Sequence, residues 1–276
     1  RFVGALALCL LGGTILWLLV NELPAMENPM MTDEELYLFD LNGYIVIEGV
    51  LSADQVDRCT QAIDHQIGAG VAKLVERSAK LTLAGGSSVM EGRSRRLDLH
   101  GDMLEWARPW CEPFRDLIVH PRLKPYLNAI LGEGFRIDGG PSYIATDPGA
   151  EGFELHGGGF ERHNLSGAYF FKAGRIYSGM VVVEVALTDE SLDDGGFAII
   201  PASHKANLAC PKRMCLAEVY QEHIRKVPVN AGDAVIFTET ATHGAMPWLA
   251  RHQRRVVLTK YSPGDIAFHS MKQSPV

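Results

Sequence analysis

The chain has no CxxC pair, and its cysteines are odd in number: Cys9, Cys59, Cys111, Cys210 and Cys215. That argues against a disulfide framework and against a structural zinc site. It also has no HExxH helix, no GxSxG nucleophile turn and no glycine-rich phosphate loop of the GxxxxGK type. Zinc-hydrolase, serine-nucleophile and nucleotide-cradling chemistries therefore lack the residues they need. An excess of positive charge is missing too, since 26 Lys and Arg face 33 Asp and Glu for a net charge of −7. Nucleic-acid phosphate would find little attraction there, and a small-molecule partner fits better. No repeat of fixed period is present, which argues against a solenoid or propeller.

What is there is enough to fold. The 276 residues, 47% of them apolar, can bury a sizeable core. Phe2 to Val20 form a run of nineteen residues without a charge, long enough to span a bilayer. The following Asn-Glu-Leu-Pro offers no small-x-small cleavage site, so residues 1–21 read as a signal anchor rather than a cleaved signal peptide. On that reading the protein is a single-pass, membrane-anchored one. The alternative start is Met26, Met30 or Met31, which would leave a cytoplasmic protein. Residues 22–31 read as a linker and 32–276 as one domain.

Within that domain, Thr32 followed by Glu35, and Ser52 followed by Gln55, carry the spacing of helix-capping boxes. Between them Tyr44–Val50 is β-branched enough for a strand. Residues 84–96 (AGGSSVMEGRSRR) suggest a mobile loop, and a helical pattern resumes over Met103–Ile118 and Pro121–Leu131. From Phe135 onward the texture changes. Short β-rich runs (FRIDGG, PSYIAT, RIYSGMVVVEVAL, GFAIIP, DAVIFTE, RRVVLTKYS) alternate with Gly, Pro, Asp and Asn turns. This pattern predicts an antiparallel sandwich or closed barrel with helices packed ahead of it.

Most of the ten histidines have ordinary settings. His65, His120, His223, His252 and His269 read as solvated, His204 as part of a turn closing a strand, and His100 and His163 as loop residues. His156, opening His-Gly-Gly-Gly, and His243, after the strand ending at Glu239, differ because both sit at strand ends. A jelly roll can bring such ends together at its mouth, where two imidazoles and a carboxylate would make an open iron site. Arg254 follows His243 by 11 residues. It could clamp a dicarboxylate such as 2-oxoglutarate or lie on an edge strand, and of Arg254 and Arg255 only one can point inward.

The block Ala186–Lys205, ALTDESLDDGGFAIIPASHK, followed by His243 and Arg254, resembles the phytanoyl-CoA dioxygenase family, over about Thr32 to Gly264. The resemblance implies a mainly β fold with flanking helices, a double-stranded β-helix (jelly roll, cupin-like) behind the N-terminal apolar helix. It also implies an Fe(II)- and 2-oxoglutarate-dependent dioxygenase that uses O2 to hydroxylate an aliphatic C–H of a small organic or acyl substrate. His156 and His243 match the iron histidines and Arg254 the 2-oxoglutarate anchor. The segments 84–96 and 157–166 would cover the substrate.

The family's usual motif is His-x-Asp, and here the carboxylate position is Gly158. Three accounts follow. Iron binds through two histidines with water or chloride in the open place, as in 2-oxoglutarate-dependent halogenases. Another carboxylate substitutes, either Glu154, on the same face as His156 if the strand is regular, or Glu161. Or the metal is lost, and a non-catalytic, membrane-tethered binding domain remains.

Overall fold

The computed structural model describes residues 30–77, 83–100, 102–157 and 168–266. Both expected capping boxes form. Thr32 Oγ1 accepts from the Glu35 amide while the Glu35 carboxylate accepts from the Thr32 amide, opening α1 (Asp33–Asn42). Ser52 and Gln55 do the same for α2 (Ala53–Gly68). Each box satisfies two amide donors that a helix start otherwise leaves orphaned.

Strand β1 (Tyr44–Ile47) lies between these helices, and β2 (Lys73–Glu76) and β3 (Leu97–His100) follow. The helical expectation over Met103–Ile118 is corrected to α3 (Glu112–Ile118) alone. Pro109 and Pro113 explain the difference: neither donates an amide, and Pro113 is tolerated only because it sits in the first turn. Next come α4 (Lys124–Leu131), β4 (Arg136–Thr146), β5 (Phe153–His156), β6 (Tyr169–Lys172) and β7 (Arg175–Ser178). The last third holds β8 (Val181–Ala186), β9 (Gly196–Ile199), α5 (Lys212–Cys215), β10 (Arg225–Lys226), β11 (Ala234–Thr238), β12 (His243–Met246) and β13 (Arg254–Ser262). The runs FRIDGG and PSYIAT are thus one strand, β4.

A seven-stranded sheet in the order β1-β11-β8-β13-β4-β3-β2 faces a four-stranded one, β10-β9-β12-β5, with β6 and β7 a separate hairpin. The pairings between these strands are antiparallel. The jelly-roll expectation holds, with the difference that β1, β2 and β3 from the helical first third complete both edges of the large sheet. Strand β8 shows why the layers form. Val181, Val183 and Val185 point to one face, where they pack with Phe39, Ile63, Phe114 and Leu127 of the helices. Val182 and Ala186 point to the other, against Phe197, Ile199 and Phe237 between the sheets. Each fully buried valine contributes roughly 1.5–3 kcal/mol relative to exposure.

Residues 84–96 are corrected from a mobile loop to a packed series of turns. Ala84, Ser87 and Met90 are fully buried, and Ser87 Oγ donates to the Leu216 carbonyl. Glycine-rich composition marked the turns and missed the three small or flexible side chains that fill the core beneath them. Cys59, Cys111, Cys210 and Cys215 are free, as expected. Among the described residues no helix is long and apolar enough to cross a membrane. The apolar run 2–20 lies outside the described residues.

His204 closes β9 as expected, in a buried turn where one ring nitrogen lies 3.0 Å from the Asp40 carbonyl. It sits edge-on to Tyr169 and against Gly43, the left-handed residue that ends α1. A Cβ on Gly43 would lie 2.5 Å from the ring. Burial pushes His204 down to about 4, outweighing the favourable Asp40 carbonyl. Because the unfolded chain protonates first as pH falls, this histidine's share of stability is present above about 6.5 and is lost toward about 4. The loss amounts to about 3 kcal/mol. Denaturant midpoints measured across that window should slope less steeply in His204→Gln than in the native chain; equal slopes would contradict this placement.

Candidate active site

Strands β5 and β12 pair with His156 directly opposite His243, and the two rings lie 4.4 Å apart between centroids. The sequence expectation that these strand ends meet is what the fold produces. One step further the register slips, because Ala245 pairs with Phe153 where a regular ladder would place Glu154. The extra residue in β5 is a bulge, and a bulge reverses which side chains share a face. Phe153 therefore joins His156 on the cavity side, 4.6 Å from it. Glu154 turns away, its carboxylate bound to Lys212 Nζ at 2.5 Å.

That corrects the expectation for Glu154, which assumed a regular strand. Glu161 and Gly158 lie outside the described residues. Among the described residues the carboxylate beside the two histidines is Glu239. Donor atoms of His156, Glu239 and His243 all lie within 4.8 Å of one another. Glu239 occupies the corner where the chain leaves β11 in one sheet and enters β12 in the other, four residues before His243. Its amide donates to the Met180 carbonyl, which fixes the corner to the start of β8.

Gly157 makes the approach close enough. Its φ is 89°, and a Cβ there would run into the carbonyl oxygens of Ala241 and Glu239. Only glycine takes this conformation at no steric cost. Gly157→Ala should lower stability by about 2 kcal/mol, read as a reduced denaturant midpoint, and should loosen the three-residue cluster. An unchanged midpoint would show that the corner can move.

The electrostatics suit a cation. Burial foremost, aided by His156, pushes His243 down to about 4, so its imidazole is neutral at ordinary pH. Nδ1 of His243 lies 2.8 Å from the Ala241 carbonyl and Nδ1 of His156 lies 3.1 Å from the Glu154 carbonyl. A backbone carbonyl can only accept, so Nδ1 carries the proton in each ring and Nε2 keeps the lone pair. Burial works to raise the Glu239 carboxyl, but His243, Lys260 and His156 outweigh it and hold the group below its ordinary value. Two imidazoles and one carboxylate are the donor set of an open iron(II) site, so the residues present fit that metal.

The cluster opens on a cavity of about 610 Å³ between the sheets, which Arg254 also lines. Of the two neighbouring arginines, Arg254 points in and is buried, while Arg255 points out to Asp64 at 2.6 Å. Arg254 is not alone: Nη2 donates to Glu184 Oε1 at 2.5 Å, and Nε lies 2.8 Å from Glu190 Oε2 without a well-aligned hydrogen bond. Gly196 permits this, since a Cβ there would overlap Glu190 and crowd Arg254. Glu184, Glu190 and Glu239 went unnoticed in the sequence. A lone carboxylate inside the otherwise apolar run VVVEVA was the available signal for Glu184.

Among the described residues no other histidine joins this cluster. His120 is buried rather than solvated, with Gln55 3.5 Å away. His65 stacks on Trp110 at 3.8 Å and His252 reaches the Asp189 carbonyl. His163 and His269 lie outside the described residues.

Among curated proteins none matches the chain significantly. Solved structures do. HygX from Streptomyces hygroscopicus, crystallised with nickel, 2-oxoglutarate and hygromycin B, superposes with a TM-score of 0.65 at 22% identity, over 86% of this chain and 89% of its own. The non-heme alpha-ketoglutarate-dependent carbocyclase SnoK from nogalamycin biosynthesis gives 0.57 at 17% identity, over 84% of each chain. The epimerase SnoN in complex with Fe3+, alpha-ketoglutarate and nogalamycin RO gives 0.57 at 18%, over 87% and 90%. At these identities the likeness shows a shared fold. The model of the phytanoyl-CoA dioxygenase family matches residues 39–256. The chain therefore belongs to the phytanoyl-CoA dioxygenase (PhyH) family of non-haem iron, 2-oxoglutarate-dependent oxygenases.

Proposed function

We propose that the chain hydroxylates an aliphatic C–H bond of a small organic molecule, with iron(II) held by His156, Glu239 and His243 and 2-oxoglutarate anchored by Arg254. The observation that carries this reading is the three-donor cluster facing the same cavity as a buried arginine. The bound metal and cosubstrate would supply the oxidising chemistry, with 2-oxoglutarate, O2 and R–H becoming succinate, CO2 and R–OH. What the chain does is bind and orient. The carbonyls of Ala241 and Glu154 hold the two imidazoles in the Nδ1–H tautomer, which leaves each Nε2 lone pair facing the site. Glu184 and Glu190 fix the Arg254 guanidinium in the cavity wall. Phe197, Phe237 and Val182 give the cavity wall an apolar stretch, which limits water near the reacting groups.

The chloride-dependent alternative rested on a missing carboxylate, and Glu239 offers one. HygX and SnoN, which carry organic ligands in their crystals, support a small-molecule substrate here. The test is 2-oxoglutarate-dependent O2 consumption and succinate formation by the iron-loaded chain, with and without chloride. Succinate in both conditions, lost in Glu239→Ala, is expected. Succinate formed only with chloride would favour halogenation, and none in either condition would favour a binding domain.

A further inference from the structure

The large sheet carries a row of arginines across its cavity face. Arg77 pairs with Arg96, its amide donating to the Arg96 carbonyl at 3.0 Å. Arg96 is one step beyond the Leu97–Ala145 pair of β3 and β4, which places it beside Thr146, and Thr146 pairs with Arg254 of β13. All four residues line the cavity that also holds His156 and His243. Their charge balance differs from one end of the row to the other. Arg254 is met by two carboxylates, Glu184 and Glu190. Arg77 and Arg96 share one, Asp98, at 3.0 Å and 2.7 Å. The surplus of positive charge therefore lies at the Arg77 end.

An aromatic ring joins that end to the metal-ligand histidine. The guanidiniums of Arg77 and Arg96 each stand 5.7 Å from the centroid of Phe153, and the Phe153 ring also lies 4.6 Å from that of His156. Two cations drawn to one ring and one carboxylate are held side by side, and Arg96 is partly desolvated there. Burial, together with the charges of Arg77 and Arg254, lowers its hold on the proton. An anion placed between the two guanidiniums would relieve that crowding and meet planar donors suited to bidentate contact.

We propose that Arg77 and Arg96, with Phe153 as an apolar shelf, form a subsite for an anionic group of the substrate, a carboxylate or a phosphate. The substrate would then be an organic anion whose oxidised carbon is separated from its charged group by about the width of one aromatic ring. This assignment rests on the oxygenase reading for its catalytic meaning, but the subsite itself needs no metal.

The test uses the full chain loaded with iron(II) and 2-oxoglutarate, and in parallel the metal-free chain. Three probes are titrated calorimetrically: 3-phenylpropionate, phenyl phosphate and the neutral 3-phenylpropionamide. At least one of the two acids is expected to bind at least tenfold more tightly than the amide. Its affinity should fall tenfold or more in Arg96→Gln and in the more exposed Arg77→Gln, with the 2-oxoglutarate Kd unchanged within twofold. Comparable binding of amide and acids, or no binding of either acid, would overturn the proposal. So would an equal loss of 2-oxoglutarate affinity in the arginine variants, which would assign the pair to the cosubstrate. Acid binding that persists in the metal-free chain while no iron complex forms would leave the subsite standing and remove the oxygenase reading.

Discussion

Glu239→Gln is expected to weaken iron(II) binding on the order of 100-fold and to abolish succinate formation, with little change in fold. Removing partners that only orient a metal ligand costs 10–100-fold in affinity, so a direct ligand should reach at least the upper end. The substitution keeps the size of the side chain and removes the charge that the two histidines and Lys260 stabilise. Restoring a carboxylate where the family usually carries it offers a complementary check. Gly158→Asp on the Glu239→Gln background should recover much of the metal affinity. Full activity of Glu239→Gln would remove this residue from the site and return attention to an open coordination position.

The second large effect is expected at Glu190. With Glu184, Glu190 and Arg254 all ionised, the buried cluster carries one net negative charge, and a third carboxylate from 2-oxoglutarate would add to it. Burial foremost, with Glu184 adding to it and Arg254 opposing, raises the Glu190 carboxyl above its ordinary value. On the proposal that Arg254 anchors 2-oxoglutarate, Glu190 is the group expected to take up a proton when the cosubstrate binds. Proton uptake on binding means that 2-oxoglutarate affinity rises as pH falls. Glu190→Gln, which imitates the protonated form, should tighten 2-oxoglutarate about tenfold at neutral pH and flatten that dependence. Isothermal titration between about pH 6 and 8 measures both. Weaker binding in Glu190→Gln would mean that its charge supports Arg254 rather than competing for it.

How far the sequence reached is clear from the residues. Thr32 and Ser52 announced their helices because a capping box is local chemistry, complete within four residues. His156, His243 and Arg254 were legible through the family resemblance, to which strand ends and the alternation of Arg254 and Arg255, properties of one strand at a time, added only local support. Glu239 was missed although it ends the very strand that leads to His243. A regular β5 would have put Glu154, two residues from His156, on the same face. The bulge opposite Gly244 breaks that regularity, and a bulge depends on pairing with a distant strand, which no local pattern encodes. Glu184 and Glu190 were invisible for a related reason. Their meaning comes from Arg254, which lies 70 residues from Glu184 in sequence and beside it only after β8 and β13 pair. The turns at 84–96 failed differently, since glycine content reports where a chain bends and says nothing of what Met90 fills.

The most direct measurement is an anaerobic titration of the chain with iron(II) in the presence of 2-oxoglutarate, following the metal-to-ligand absorption band. One iron per chain is expected, with the band lost in His156→Ala, His243→Ala and Glu239→Ala alike. A band that forms undiminished without Glu239, or no band in the native chain, would contradict the three-residue site.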